Sequence, residues 1–554
     1  ARQDKREQRR SDGGERESHP RITPREAVEF QTASDDGRAA APAGGPNLPT
    51  ASLRGMTESE ELGRGGRLRG GAAEELVAAA YAAESAHGPR LARGLSLADL
   101  AHAVALVEGG DLAGDDARAL VRGLLELHAI PGGEFPWDPS LGDAFNAREA
   151  ELERRVGTAA AGWLSAGRPR REAFRVGLRL TARGAARELH DALTDQAAAL
   201  ARHARATRNA LATDYTYLQR AQPTTVGHLL LTYAYPALRD ADRVRASYTA
   251  LGASVAGAGG SAGSRWALDR TRLADLLGCD GMIEHAKDAA WQADVYVELL
   301  ATLAIAATHQ SQLGQDFEIY ASQEFGLVEL GDAHSRASAL MPQKKNPYAL
   351  AAIRAQAGQA AGDLAAALAT LHTGSARTDH FHLLNGTVPR ALDDAVAIAR
   401  LTASVLNGIE LRPARFEQIA RESFVTAADV ADVLALEGGL DYRSAHKVVG
   451  RAVRDLVEAG EPPSALTPAR LSAAAEAAIG RPVDLEEATL RAALDPAACA
   501  AARLQIGSSS EAAMSSMLAG LDATLAANES WSEAAEEREA AAEAALLARA
   551  GELV

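Results

Sequence analysis

Ser338-Ala-Leu-Met-Pro-Gln-Lys-Lys-Asn-Pro347 is a polar segment set between two long apolar ones. Its closing proline suits the first turn of a helix, because proline has no N–H to leave unpaired and its φ is already helical. Beyond it Leu350, Ile353, Leu364, Leu368 and Leu371 recur at helical spacing. Alanines fill the gaps, so neighbouring helices can approach closely. Read alone, a loop carrying Ser335, Ser338, Lys344 and Asn346 before a helix start has two uses. The commoner is a solvated helix cap; the other is a grip for a carboxylate, built from a hydroxyl, an ammonium and an amide.

Upstream, His285 to Leu313 contains neither Gly nor Pro, which predicts a helix on the order of 40 Å long. Another is expected from Phe174 to Leu211, and a further one after Pro223. Several such helices in mid-chain predict an extended all-α bundle. The composition agrees: 47% of the residues are hydrophobic but only 4% aromatic, whereas strands favour aromatic and β-branched side chains. At 554 residues the chain is too long for one ordinary domain. The best apolar run, Val295–Thr308, is interrupted by Glu298 and falls short of the roughly 20 residues a bilayer requires, so no membrane association is expected. Lys and Arg total 58 against 74 Asp and Glu, a net charge of −16, which argues against a nucleic-acid partner. Two cysteines, Cys279 and Cys499, cannot form a disulfide framework, and a reducing, cytoplasmic location is expected. Residues 1–62 mix charges with Gly, Pro, Ser and Ala and show little apolar periodicity. They read as a disordered N-terminal extension without a signal-peptide-like apolar stretch.

The 338–347 run resembles the signature loop of the aspartase/fumarase superfamily, Gly-Ser-Ser-x-Met-Pro-x-Lys-x-Asn. Several further segments resemble argininosuccinate lyase in the same order along the chain. These are Arg64-Gly-Gly-Arg-Leu68, Gly167-Arg-Pro-Arg-Arg-Glu172 (against Gly-Arg-Ser-Arg-Asn-Asp) and Thr216-Tyr-Leu-Gln-Arg-Ala-Gln-Pro-Thr-Thr-Val-Gly-His228. Ser322-Gln-Glu-Phe-Gly-Leu-Val-Glu-Leu-Gly-Asp332, Ala427-Ala-Asp-Val-Ala-Asp432 and Tyr442-Arg-Ser-Ala-His446 continue the series, so the resemblance covers roughly residues 63–520. It implies a three-domain helical subunit whose central helices form a twenty-helix homotetramer core, with each active site assembled from three subunits. The expected division is 1–62 extension, 63–169 N-terminal helical domain, 170–410 central bundle with the signature loop, and 411–554 C-terminal helical domain.

The resemblance also implies a chemistry. A base removes the proton next to a carboxylate, an aci-carboxylate forms, and the neighbouring substituent leaves, commonly giving fumarate. Fixed cations and hydrogen-bond donors must hold the added charge. Ser338 matches the family's general base, and the second serine of the pair is Ala339. Lys344 and Asn346 match carboxylate-binding residues, with Lys344 also placed to support the serine, and Thr216 matches another substrate contact. No cofactor and no metal are expected; the substrate is expected to be a small anionic dicarboxylate.

The departures from that pattern are chemical. The family's motif histidine is Tyr217 here, and the glutamate that supports it is Ala351. Tyr217 remains a candidate proton donor or substrate contact. Arg171 stands where the motif has an amide, beside Arg170, and Arg336 replaces a small polar residue near the catalytic serine. These extra guanidinium groups favour an anionic group, which arginine binds through paired hydrogen bonds. Arg336 also reads as an ordinary surface residue. The segment that recognises the arginine portion of argininosuccinate is replaced by Arg377-Thr-Asp-His-Phe-His-Leu-Leu-Asn-Gly386. That leaves His380 and His382 as a substitute acid, as contacts of the leaving group, or as solvated histidines of a polar loop.

The preferred expectation is an elimination lyase for a substituted succinate, with nitrosuccinate going to fumarate and nitrite as the specific case. Nitrite is a weak base and needs little protonation to leave. The alternatives are a C–N lyase for an N-substituted aspartate, a cycloisomerase of the carboxymuconate type (to which Ala286-Lys-Asp-Ala-Ala-Trp291 is weakly similar), and a non-catalytic oligomer on a lyase scaffold.

Overall fold

The computed structural model describes residues 71–372, 374 and 378–554. The expected extension and the Arg64–Leu68 motif lie outside them. The first long helices are α1 (Gly88–Glu108), α2 (Gly114–His128) and α3 (Ala144–Ala161). Leu100, Leu106, Leu120, Leu124 and Leu152 form their core, onto which the chain's end also folds through Leu546 and Ala550.

The centre is built from α4 (Arg170–Ala206), α5 (Val226–Leu251), α6 (Asp294–Tyr320), α7 (Tyr348–Leu371) and α8 (Asp379–Gly408). Two clusters of buried side chains divide this bundle into ends. The first takes Phe174–Leu193 from the start of α4, Leu299 and Leu303 from the start of α6 and Leu384–Val396 from the start of α8. From α5 and α7 it takes the finish, Val244 to Leu251 and Ala367. In the second cluster the pattern reverses: Ala204, Phe317 and Leu406 come from helix finishes, Leu231, Leu350 and Ile353 from helix starts. Helices α4, α6 and α8 therefore run one way and α5 and α7 the other. A long antiparallel helix, Glu511–Gly551, lies along α4, with Trp531 and Ala535 in the first cluster and Met514 and Leu518 in the second. Beyond α8, the helices Ala427–Leu436, Tyr442–Ala459 and Pro468–Ile479 close around their own core of Val430, Leu434, Val448 and Leu471.

The expected helix over 285–313 is two helices. Ala286–Trp291 ends, Gln292 is extended (ψ 144°), and α6 begins at Asp294. No Gly or Pro marks the break; tertiary bonds make it. The Trp291 carbonyl accepts from His380 Nε2 at 3.1 Å, and the Gln292 carbonyl accepts from Arg175. Helix α4 starts at Arg170 and ends at Ala206, short of the expected Leu211, because the chain turns there into an antiparallel hairpin of β1 (Leu211–Thr216) and β2 (Gln219–Thr225). No described helix is long and apolar enough to cross a membrane.

Helix α7 buries few of its side chains. Ala349, Leu350, Ile353, Ala360 and Ala367 face the bundle, while Ala351, Ala355, Ala361, Ala365 and Leu368 are exposed. Leu368 is 55% exposed, and Ile305 on the neighbouring α6 is 40% exposed. A helix this apolar all round is ordinarily buried all round.

Candidate active site

The motif residues occupy two ends of the bundle. At the hairpin end, β1 and β2 are joined by a two-residue turn, Tyr217 (φ 55°) and Leu218 (φ 57°). Two consecutive positive φ values match the twist of the strands and normally call for Asn and Gly. A tyrosine and a leucine there store strain of the kind that collects at functional sites. The turn holds Tyr217 99% exposed at the tip, with Thr216 exposed beside it.

The signature loop sits at the same end, between the finish of α6 and the start of α7. Its two arms pair as a small antiparallel ribbon, Arg336 opposite Asn346 and Ala337 opposite Lys345. Asn346 Nδ2 donates to the Arg336 carbonyl at 2.9 Å, closing the neck. Ser338 Oγ accepts from Met341 N at 3.0 Å, which fixes the hydroxyl at the loop's mouth. The two lysines divide their work. Lys345 Nζ lies 2.8 Å from Asp332 and 3.2 Å from Glu329, and hydrogen bonding to Asp332 holds its pKa above the usual lysine value. Lys344 is exposed and has no ion pair among the described residues, so of the two lysines it is the one available to a ligand. Arg336 lies with its guanidinium 5.1 Å from the Tyr348 ring centre and is exposed. A cleft of about 520 Å³ opens between the hairpin and the C-terminal region, lined by Leu218, Arg220, Phe325, Arg415 and Glu422. It contains none of the residues expected from the sequence.

Arg170, Arg171, His380 and His382 gather at the opposite end, where α4, α6 and α8 begin. Gly167 (φ 69°) makes the turn into α4; a Cβ there would meet Ser264 and Trp266 at 2.7 Å. Arg170 Nε lies 3.5 Å from Asp143, a carboxyl whose pKa burial raises against the pull of Arg170. The Arg171 guanidinium is 4.9 Å from the Trp291 ring and 5.2 Å from the Phe381 ring. Burial, then Arg170, lower its pKa. The two rings adjoin each other, 5.5 Å between centres, and among the described residues the Arg171 N–H groups carry no hydrogen bond. Deeper in the bundle, burial brings Arg175 down to about 10.

The histidines correct the sequence reading. They are not in a polar loop but in the first turn of α8. His380 is 5% exposed and is bonded to the Trp291 carbonyl, so it helps to build the wall. His382 pairs through Nδ1 with the buried carboxylate of Glu84. Within one chain Arg170, Arg171, Arg336 and Lys344 do not come together. The first two lie at one end of the bundle and the last two at the other.

Two functional candidates escaped the sequence reading. Glu84 lies between the Arg64–Leu68 and Gly167–Glu172 motifs and belongs to neither, and only the folded chain brings it to His382. Glu172 lay inside the quoted motif without being given a role. Its carboxylate accepts from Gly257 N at 2.6 Å and Gly259 N at 2.5 Å, pinning the glycine-rich loop against the start of α4. Burial pushes its pKa up to about 7 against the pull of Arg168 and these two N–H groups.

Comparison with known proteins agrees with this geometry. Residues 89–362 match the profile of a family described as Lyase, and 424–501 match the argininosuccinate lyase C-terminal profile. Argininosuccinate lyase of Methanoculleus marisnigri is 33% identical over 453 residues, covering 80% of this chain and 90% of the relative. That of Thermus thermophilus is 35% identical over 416 residues, covering 74% and 88%. Among solved structures, EDDS lyase in complex with formate superposes with a TM-score of 0.78 at 25% identity, covering 87% of this chain and 96% of that one. The 3-carboxy-cis,cis-muconate lactonizing enzyme of Pseudomonas putida shares the fold (TM-score 0.59, 21% identity, covering 79% and 94%). With both profiles matched in order along the chain and full-length relatives at this identity and coverage, the chain belongs to the aspartase/fumarase superfamily of lyases, in its argininosuccinate lyase branch.

Proposed function

We propose that the protein eliminates a nitrogen substituent from a 2-substituted succinate and releases fumarate. The observation that carries this reading is the signature loop itself, in which Ser338 is fixed at the mouth and Lys344 alone of the lysine pair is left uncommitted. Ser338 takes the proton from the carbon beside one carboxylate, and Lys344 and Asn346 hold that carboxylate as its second negative charge develops. Stabilising this aci-carboxylate is the hard part of the reaction, and fixed donors supply it best where water is excluded. Thr216 and Tyr217 at the hairpin tip contact substrate, and Arg170 and Arg171 hold its remaining anionic group.

These groups meet only if copies of the chain associate. The reading therefore includes a homotetramer whose central helices pack together, supported by the exposed apolar faces of α6 and α7. Burying them against further copies removes apolar surface from water.

A second reading concerns the leaving group. Arg171, set against the neighbouring Trp291 and Phe381 rings with no N–H hydrogen bond among the described residues, favours a planar oxyanion such as the nitro group of nitrosuccinate, leaving as nitrite. Ala351 and Tyr217 fit a departure that needs no strong acid. The test is a fumarate absorbance assay with nitrosuccinate, aspartate, argininosuccinate and other N-substituted aspartates. Fumarate from at least one, with loss of turnover in Ser338→Ala, is the expected result. Turnover of none would defeat the assignment.

A further inference from the structure

His382 and Glu84 form a side-chain pair that no part of the mechanism above uses. They are 298 residues apart in sequence. Glu84 sits in the short helix Ala82–Ser85 ahead of α1, and His382 in the first turn of α8. The carboxylate is buried, with its side chain 11% exposed, whereas the imidazole is 62% exposed. Nδ1 is committed to Glu84 Oε1. Among the described residues Nε2 has no protein partner. A buried carboxylate that fixes one ring nitrogen and leaves the other free is the arrangement by which enzymes orient a proton-transferring histidine.

The pair borders the arginine pocket. Phe381, the chain neighbour of His382, has its ring 5.2 Å from the Arg171 guanidinium, and Glu84 acts electrostatically on both Arg171 and Asp143, so the pair lies at the same end of the bundle as the guanidinium without an ion pair among the described residues. An anion held by Arg171 would bring the neighbouring atoms of the same small molecule to His382. The simpler alternative is that His382 only satisfies the buried charge of Glu84. Against it stands the ring's exposure, since a purely structural partner gains most when both members are enclosed.

We propose that His382, oriented by Glu84, protonates the departing nitrogen, and that the natural leaving group is therefore a basic amine-type nitrogen rather than nitrite. The proposal rests on the fumarate-forming reading above. The base takes the proton from carbon 3, and that C–H electron pair becomes the C=C bond of fumarate. The C–N bond breaks with its electron pair on nitrogen, and the nitrogen takes the Nε2 proton of the His382 imidazolium. Glu84 keeps its negative charge throughout, and solvent returns a proton to the imidazole. The charged and titratable groups around the pair are Arg170 and Arg171 on α4, Asp143 at the start of α3, and His380 on α8.

The test uses the full chain, with nitrosuccinate and the N-substituted aspartate that it cleaves fastest. His382→Gln is expected to lower kcat on the aspartate about 100-fold or more, the usual worth of a general acid, with KM changed by less than about threefold. Nitrosuccinate turnover should change by less than about fivefold, because nitrite leaves unprotonated. The falling alkaline limb of kcat/KM for the aspartate should vanish in His382→Gln, and Glu84→Gln should move in the same direction. Equal losses on both substrates, or a limb that survives in His382→Gln, would overturn the proposal in favour of a structural pair. Wild-type turnover of nitrosuccinate alone would also overturn it while leaving fumarate formation intact; turnover of neither would defeat the underlying reading instead. Should His382→Gln not fold, the wild type decides: a falling limb with the aspartate and none with nitrosuccinate supports the proposal, and matching profiles refute it.

Discussion

Arg171 and Thr216 lie beyond opposite ends of one another's reach: the first opens the 37-residue helix α4, and the second stands in the hairpin that follows its far end. At 1.5 Å per residue the helix alone separates them by roughly 55 Å. No four-carbon substrate spans that distance, and Ser338 shares Thr216's end of the bundle. A site that uses Ser338 and Arg171 together must take them from different copies. Co-expressing Ser338→Ala with Arg171→Ala, each inactive alone, should then restore activity in mixed oligomers. For random assembly about a quarter of the sites receive both intact residues, so about a quarter of wild-type turnover is expected. The measurement is fumarate production by the purified mixed oligomer; no restoration would place both residues in one subunit's site, against the helix geometry.

The adjacent lysines of the signature loop give a sharper contrast. Lys345 is committed to Asp332 and Glu329, whereas Lys344 is not. In the proposed reaction Lys344→Ala removes a charge-assisted hydrogen bond to substrate, and it should lower kcat/KM about 10- to 100-fold. Lys345→Ala breaks only two exposed ion pairs, and should stay within about fivefold of wild type. Steady-state kinetics on the same substrate separates the two, and equal losses would contradict the division of roles.

Much of this was legible in the chain itself. Pro347 and the spaced leucines after it announced α7, and the motif order along the chain announced the superfamily. What escaped has a common cause, since it depends on groups distant in sequence. The break at Gln292 carries no Gly or Pro, because Arg175 and His380 make it from other helices. The hairpin turn escaped because Tyr217 and Leu218 lack the Asn-Gly preference of their backbone conformation. His382 read as a residue of a polar loop, its role left open, because its partner, Glu84, is 298 positions away. In the same way, the separation of Arg171 from Lys344 along the bundle shows only in the folded chain, where α4 and α7 run in opposite directions.

The fold rests in part on a buried charge cluster. Asp99 is 1% exposed, and its carboxylate accepts from Arg148 Nε at 3.3 Å and from Arg168. Arg168 belongs to the motif that turns into α4, so the cluster ties the N-terminal helices to the arginine pocket. Asp99→Asn would leave two buried guanidinium groups without their anion. Removing one partner from such a cluster destabilises by about 3 to 5 kcal/mol. Urea or thermal unfolding should show the loss, whereas Asp115→Asn, which breaks an exposed pair with Arg118, should change stability by less than about 1 kcal/mol.

Glu172 makes stability depend on pH in the sense opposite to an ordinary paired carboxylate. Its folded-state pKa is raised from 4.5 to about 7, chiefly by burial. Between those values the folded chain holds a proton that the unfolded chain has released, so this residue's contribution to stability falls as pH rises from about 4.5 to 7 and is constant outside that window. The whole swing is on the order of 3 kcal/mol. Glu172→Gln keeps an acceptor near Gly257 and Gly259 but cannot titrate. The difference in unfolding free energy, wild type minus variant, should therefore be larger at pH 5 than at pH 7.5. Every other titrating group is common to both proteins and cancels in that difference. A difference independent of pH would mean that the two backbone N–H donors outweigh burial and keep the carboxylate charged throughout.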